Sequence, residues 1–208
     1  MKKITGILLS MFLLGTATLQ AGEPVRLGII GGMNSSTLNV SPFVSRVGFN
    51  AGLKAELALP SVATGAYLDA GVLLSLKGAK IDLGTLGEIA FNPYYLEIPV
   101  HMGYQYAVND RLLFFANAGP YVAYGLTGKI KADMAFTSDE SENIFEDENL
   151  QRFDFGAGFR IGMELHHKLQ LSAGYDFGFI SVYSGEGYAG YDDDTYNRNL
   201  SISLAWMF

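Results

Sequence analysis

The 208-residue chain contains no cysteine. Disulfide frameworks are therefore excluded, and a lipoprotein-type anchor on an N-terminal cysteine is not expected. Basic residues are also scarce: 14 Lys and Arg stand against 21 Asp and Glu, a net charge of −7, which argues against nucleic acid as a partner. Hydrophobic residues make up 49% of the chain. Even so, beyond the first two dozen positions no apolar run approaches the roughly 20 residues of a membrane helix. What is abundant is glycine, 25 residues, together with 14 Phe and 12 Tyr. Such a composition suits an all-β chain.

The opening "MKKITGILLSMFLLGTATLQAGEP" has a positive n-region at Lys2 and Lys3, an apolar stretch from Ile4 to about Leu14, and small residues leading to Ala21. This is the pattern of a secretory signal peptide, too short in its apolar part for a membrane span. The expected organisation is a signal peptide over residues 1–21 and one domain over residues 22–208.

Eight segments alternate apolar and polar residues with period two, the mark of a strand whose side chains leave opposite faces. They lie near Val25 to Met33, Ser45 to Ala58, Gly65 to Lys77, Tyr94 to Tyr106, Arg111 to Leu126, Gln151 to Leu165, Lys168 to Val182 and Thr195 to Phe208. Most match or exceed the roughly 9–11 residues that cross a bilayer at a tilt. The connections "LPSVAT", "AVND" and "HHK" are short. Those containing "NSSTLNVSPF", "GAKIDLGTLGEIAFN", "TGKIKADMAFTSDESENIFEDEN" and "YSGEGYAGYDDD" are long. With eight strands all four long loops fall on one side and both termini on the other, the arrangement of an outer-membrane barrel with periplasmic turns and termini.

The two faces identify the surrounding solvent. One parity is apolar along almost every strand, as in Val47, Phe49, Ala51, Leu53, Ala55 and Leu57. The other mixes glycine with charge: Arg26, Arg46, Lys54, Lys77, Arg111, Arg152 and Arg160 nearly balance Glu56, Asp69, Glu97, Asp154, Glu164 and Asp176. No apolar pocket is expected from such a lining. A soluble barrel would turn its apolar face inward, whereas a membrane barrel turns it to lipid. Rings at both ends of the apolar face form interfacial girdles, with Tyr94, Phe153, Phe179, Tyr183 and Tyr196 at one end and Tyr104, Tyr106, Phe114, Trp206 and Phe208 at the other. The fold class is all-β: an eight-stranded antiparallel up-and-down transmembrane β-barrel of the outer-membrane type.

"YLEIPV" (Tyr95 to Val100), "FANAGPYVAYGL" (Phe115 to Leu126), "DFGAGFRIGMEL", "LSAGYDFGF" and the closing "NRNLSISLAWMF" resemble the PorT-like outer-membrane β-barrel proteins of the Bacteroidetes type. The likeness covers nearly the whole mature chain. It implies an eight-stranded barrel, membership of secretion or gliding machinery for a few relatives, and no catalytic residues to carry over.

Chemistry is sparse. His101 is inward and mid-strand, with Glu97 roughly 13 Å away along the same face, and it reads as a satisfied buried polar residue. His166 and His167 form a turn, solvated rather than metal-binding. No His lies near the outer rim, so an enzyme on lipid is not expected and no catalytic or cofactor-binding residue is assigned. The inward charges could line an ion path, but in an eight-stranded lumen they read as a salt-bridged plug. Carboxylates cluster in the third and fourth long loops. Asp139, Glu140, Glu142, Asp192, Asp193 and Asp194 are candidate Ca²⁺ ligands that could bridge surface lipopolysaccharide, although neither loop has the spaced calcium-loop pattern. The resulting expectation is an integral outer-membrane protein, structural or interacting through its acidic surface loops. The alternatives are an accessory part of a secretion or envelope-assembly complex with a protein partner, and a narrow, porin-like channel.

Overall fold

The computed structural model describes residues 25–39, 41–134, 137–142, 144–145, 151–182 and 195–208. Among the described residues ten strands form in chain order: β1 (Val25–Leu38), β2 (Phe43–Ala58), β3 (Ala66–Leu76), β4 (Ala79–Asp82), β5 (Gly87–Asn109), β6 (Leu112–Met134), β7 (Thr137–Glu142), β8 (Phe153–Leu165), β9 (Leu169–Ser181) and β10 (Tyr196–Met207). Eight of them close a ring in the order β1-β2-β3-β5-β6-β8-β9-β10, every pair antiparallel. The first and last strands seal it, from Gly28 opposite Met207 to Leu38 opposite Asn197. Closure leaves no strand edge within the ring, which hydrocarbon demands because it cannot hydrogen-bond a free N–H or C=O.

The alternation read from the sequence sets the two faces. Leu27, Met33, Val47, Leu53, Met102, Phe159, Ile161, Ile202 and Leu204 project outward and are exposed. Lys54, Glu56, Glu97, His101, Asn117, Asp154, Glu164, Gln170 and Asp176 project inward and are buried. A continuous apolar exterior around a polar interior is stable only against lipid.

One rim carries short turns: residues 59–65, Asp110–Arg111 and His166–Lys168. At the opposite rim the strands continue past the ring. β5 and β6 run 23 residues each, about twice what a crossing needs, and pair with each other from Gly87↔Met134 to Asn109↔Leu112. β4 joins the start of β2 to the start of β5, and β7 lines the end of β6. Much of the second and third long loops is therefore sheet. The alternation in "AKID" and "GEIAFN" is real but short, and Gly84 between them and Gly87 at the start of the second, both at positive φ, mask it in the sequence.

Inside, glycine on one strand makes room for a large side chain from the next. A Cβ on Gly162 would strike the Phe115 ring, and one on Gly156 the Tyr121 ring. The close approach, rather than conformational freedom, requires glycine there.

Candidate functional site

The lumen holds two polar layers. Toward the short-turn rim, Lys54 Nζ on β2 contacts Glu56 Oε1 (3.0 Å) and Asp69 Oδ2 (3.0 Å) and donates to Gln170 Oε1 (2.8 Å). Gln170 on β9 uses its amide N–H groups on Glu56 (2.8 Å) and Glu164 (2.6 Å). Arg26 on β1 closes the layer against Glu56 (3.3 Å) and Glu164 (2.9 Å). A buried carboxylate pair is tolerable only with such compensation.

The second layer lies higher in the ring. Lys77, one residue past β3, forms an ion pair with Glu97 on β5, and its Nζ stands 4.6 Å from the centre of the Tyr121 ring. Arg160 on β8 reaches Asp176 (3.7 Å) and Glu97 (3.9 Å). His101 is 1% exposed; its Nδ1 lies 2.7 Å from Arg160 Nη1 and 3.1 Å from Asn117 Oδ1. An arginine N–H can only donate, so the imidazole accepts from it. Asp154 accepts from the Tyr121 hydroxyl (3.2 Å) and Asn197 Nδ2 (3.0 Å), and Asp176 accepts from Asn199 Nδ2 (3.0 Å). Between the two layers remains a space of about 20 Å³ beside Lys54, Asp69, Arg160 and Gln170, roughly the room of a single water.

The expected balance of inward charge is corrected. Arg111 is exposed in the short turn, where its carbonyl accepts from His166 N–H (2.7 Å). Arg46 is half-buried beyond the second layer, its guanidinium donating to the Val47 carbonyl (3.4 Å). Arg152 lies at the long-hairpin rim, 5.3 Å over the Phe145 ring and donating to the Phe145 carbonyl (3.1 Å). Alternation assigns a face but not a depth, so residues at strand ends were counted with those in the lumen. Among the described residues the ion-paired layers combine Arg26, Lys54, Lys77 and Arg160 with six carboxylates. Neutral donors complete them. Gln170, Asn117, Asn197 and Asn199 escaped sequence reasoning, although their inward parity was legible.

The absence of an apolar pocket is corrected as well. Above the second layer the mouth opens into a cavity of about 240 Å³, lined by Leu38, Phe43, Ile81, Phe91, Tyr95 and Phe145 among others. Phe43 meets Phe91 edge-on at 5.9 Å, and Tyr95 meets Phe145 at 5.9 Å. Most of this lining belongs to the segments read as loops.

Of the candidate calcium ligands, Asp139, Glu140 and Glu142 lie on β7, where the register sets Glu140 opposite Lys131 and Glu142 opposite Lys129. Asp192, Asp193 and Asp194 lie outside the described residues, as do Tyr183 and the proposed signal peptide. On the second hairpin Lys80 donates to Glu88 (2.9 Å), a contact that raises the lysine pKa above its ordinary value. His166 and His167 form the β8–β9 turn, with φ of 54° and 56°.

Among solved structures the chain is similar to Neisserial surface protein A (13% identity, 89% of this chain and 100% of that one, TM-score 0.46). It is also similar to Ail, the attachment invasion locus protein of Yersinia pestis (16%, 88% and 98%, TM-score 0.40), and to the outer membrane protein OprG of Pseudomonas aeruginosa (11%, 89% and 97%, TM-score 0.43). No curated protein sequence matches it. The family model of the outer membrane protein beta-barrel domain, however, matches residues 18–184. That match spans every strand of the ring but β10, and the chain belongs to the outer membrane protein beta-barrel domain family and is an outer-membrane protein.

Proposed function

We propose that the protein is a closed barrel whose role is exerted at the cell surface by its long hairpins, as a structural or interacting element rather than as a channel or an enzyme. The carrying observation is the density of the lumen: two ion-paired layers fill it, with about 20 Å³ of free space between them. A pore needs a continuous water path, and here each ion would have to displace buried, hydrogen-bonded charge. The extension of β5 and β6 past the ring supports a surface role, because rigid sheet carries recognition surfaces away from the membrane. In this reading the short turns and both termini are periplasmic, as in other barrels of the class. The PorT-like resemblance is compatible with it, and a stoichiometric envelope partner would attach at the hairpins.

Planar-bilayer recording tests the closed lumen: the purified protein is expected to give no stable, large-conductance openings, and their appearance overturns the reading. Orientation is tested by single cysteines at Gly84 and Val62 in this cysteine-free chain. A membrane-impermeant maleimide on intact cells is expected to label the Gly84 site alone; labelling at Val62 alone reverses the topology.

A further inference from the structure

We infer that the cavity at the long-hairpin mouth is a binding site for a small, uncharged, apolar ring compound of about the size of naphthalene. It goes beyond the closed-lumen reading and does not depend on it, since the cavity lies above both polar layers.

Three observations carry the inference. First, the cavity is concave and about 240 Å³ in volume, larger than the roughly 150 Å³ apolar cavity that accepts benzene. Second, its walls are aromatic and held in place. Tyr95 and Phe145 are 2% and 6% exposed, and the edge-on Phe43–Phe91 and Tyr95–Phe145 pairs fix ring orientation on opposite sides. Arg152 lies over Phe145 and holds its carbonyl, so the wall is braced from behind. A preformed apolar site of this kind binds without first paying to order its side chains.

Third, the floor sets the chemistry. Asn197, the amide in the cavity lining, has its Nδ2 engaged as donor to Asp154 (3.0 Å). No Asp, Glu, Lys or Arg is among the described lining residues. A charged ligand would lose hydration without a partner, whereas an apolar ring loses nothing. The same floor blocks passage downward, since Asp154, Tyr121 and Lys77 lie beneath it. The site therefore retains its ligand at the surface rather than conducting it.

The test uses naphthalene as probe on the full chain in lipid nanodiscs, read by methyl NMR. Ile81 and Ile144 report the cavity, and Ile29 and Ile202 report the lipid face. Saturable shifts and probe–methyl Overhauser contacts are expected at Ile81 and Ile144, while Ile29 and Ile202 change only in proportion to probe dissolved in lipid. Ile81→Trp, which fills the cavity, is expected to weaken saturable binding at least about tenfold, and Ile202→Trp to leave it unchanged. Naphthalene-2-sulfonate is expected to bind at least about tenfold more weakly than naphthalene. Probe contacts at the lipid-facing methyls alone, equal binding by Ile81→Trp, or Overhauser contacts showing the cavity filled by another segment of this chain would each overturn the inference.

Discussion

Lys77 and Glu97 form an ion pair with both side chains 2% exposed, and the Tyr121 ring lies 4.6 Å from the ammonium. Lys77 stands just past the end of β3 and Glu97 in the middle of β5, so the pair ties two neighbouring strands across the lumen. Removing one partner leaves the other charged and buried without its close counter-ion, Glu97 keeping only the long Arg160 contact (3.9 Å), and such a loss costs about 3–5 kcal/mol. Lys77→Met and Glu97→Leu are each expected to destabilise the barrel by that amount in urea unfolding from lipid vesicles. The double variant is expected to recover most of the loss, because a well-packed apolar pair dispenses with the desolvation. Additive losses in the double-mutant cycle would show that the two residues act separately.

A second relation joins Phe115 on β6 to Gly162 on β8. The phenyl ring occupies the volume a Cβ at Gly162 would need, and Phe115 is 6% exposed. Gly162→Val should therefore overpack the lumen and cost about 1–3 kcal/mol. Phe115→Ala in the same chain should relieve the clash with the ring but not the one with the Leu171 carbonyl oxygen, so the double variant is expected to be less destabilised than the sum of the two singles yet less stable than Phe115→Ala alone. Urea midpoints of the four proteins check this.

Much of the ring was legible because period-two alternation is long and nearly uninterrupted in each crossing strand. Leu200, Ile202, Leu204 and Trp206 announce the lipid face directly, and Ser201 and Ser203 the lumen. The extended hairpin was not legible. In "GAKIDLGTLGEIAFN" β4 is only four residues long, β5 contributes only its first six, and glycines at positive φ interrupt the pattern. The mouth cavity was hidden for the same reason, since Ile81 and Phe91 lie on those strands and line one cavity with Phe145 only through long-range pairing. Charge depth was also unreadable: Arg111 and Arg160 share a parity class with the lumen, but only pairing distances separate a turn arginine from a buried one.

The β8–β9 turn joins its strands through His166 and His167, both left-handed, with φ of 54° and 56°. The Lys168 N–H bonds the Leu165 carbonyl (3.0 Å), so the two histidines are the central residues of a left-handed turn inside a three-residue loop closed by Leu165 opposite Leu169, and Asn and Gly are the residues that best tolerate positive φ there. A side chain with a Cβ is strained there. His166→Asn with His167→Gly is expected to stabilise the barrel by about 1 kcal/mol, even though it removes the contact between His167 and Glu164 (3.7 Å, His167 61% exposed). That contact is long and its His167 side is open to solvent, and Glu164 keeps its closer partners Arg26 (2.9 Å) and Gln170 (2.6 Å), so its loss costs little. His167→Val should shift the urea midpoint the opposite way.

The lipid face makes the sharpest prediction, because exposure alone cannot distinguish its solvent. Leu53 on β2 and Val62 in the turn that follows are both 64% exposed. In a soluble protein, arginine at either position would be nearly neutral. Leu53 sits mid-strand between Ile29 and Val72, within the apolar band, so Leu53→Arg is expected to cost about 2–4 kcal/mol in a bilayer. Val62 lies in the short turn, outside the strands that cross, and Val62→Arg is expected to change stability by less than about 0.5 kcal/mol. Both variants are compared by urea unfolding from vesicles. Equal, small effects would mean that water rather than hydrocarbon surrounds the apolar face, and the outward leucines and phenylalanines would then need another cover.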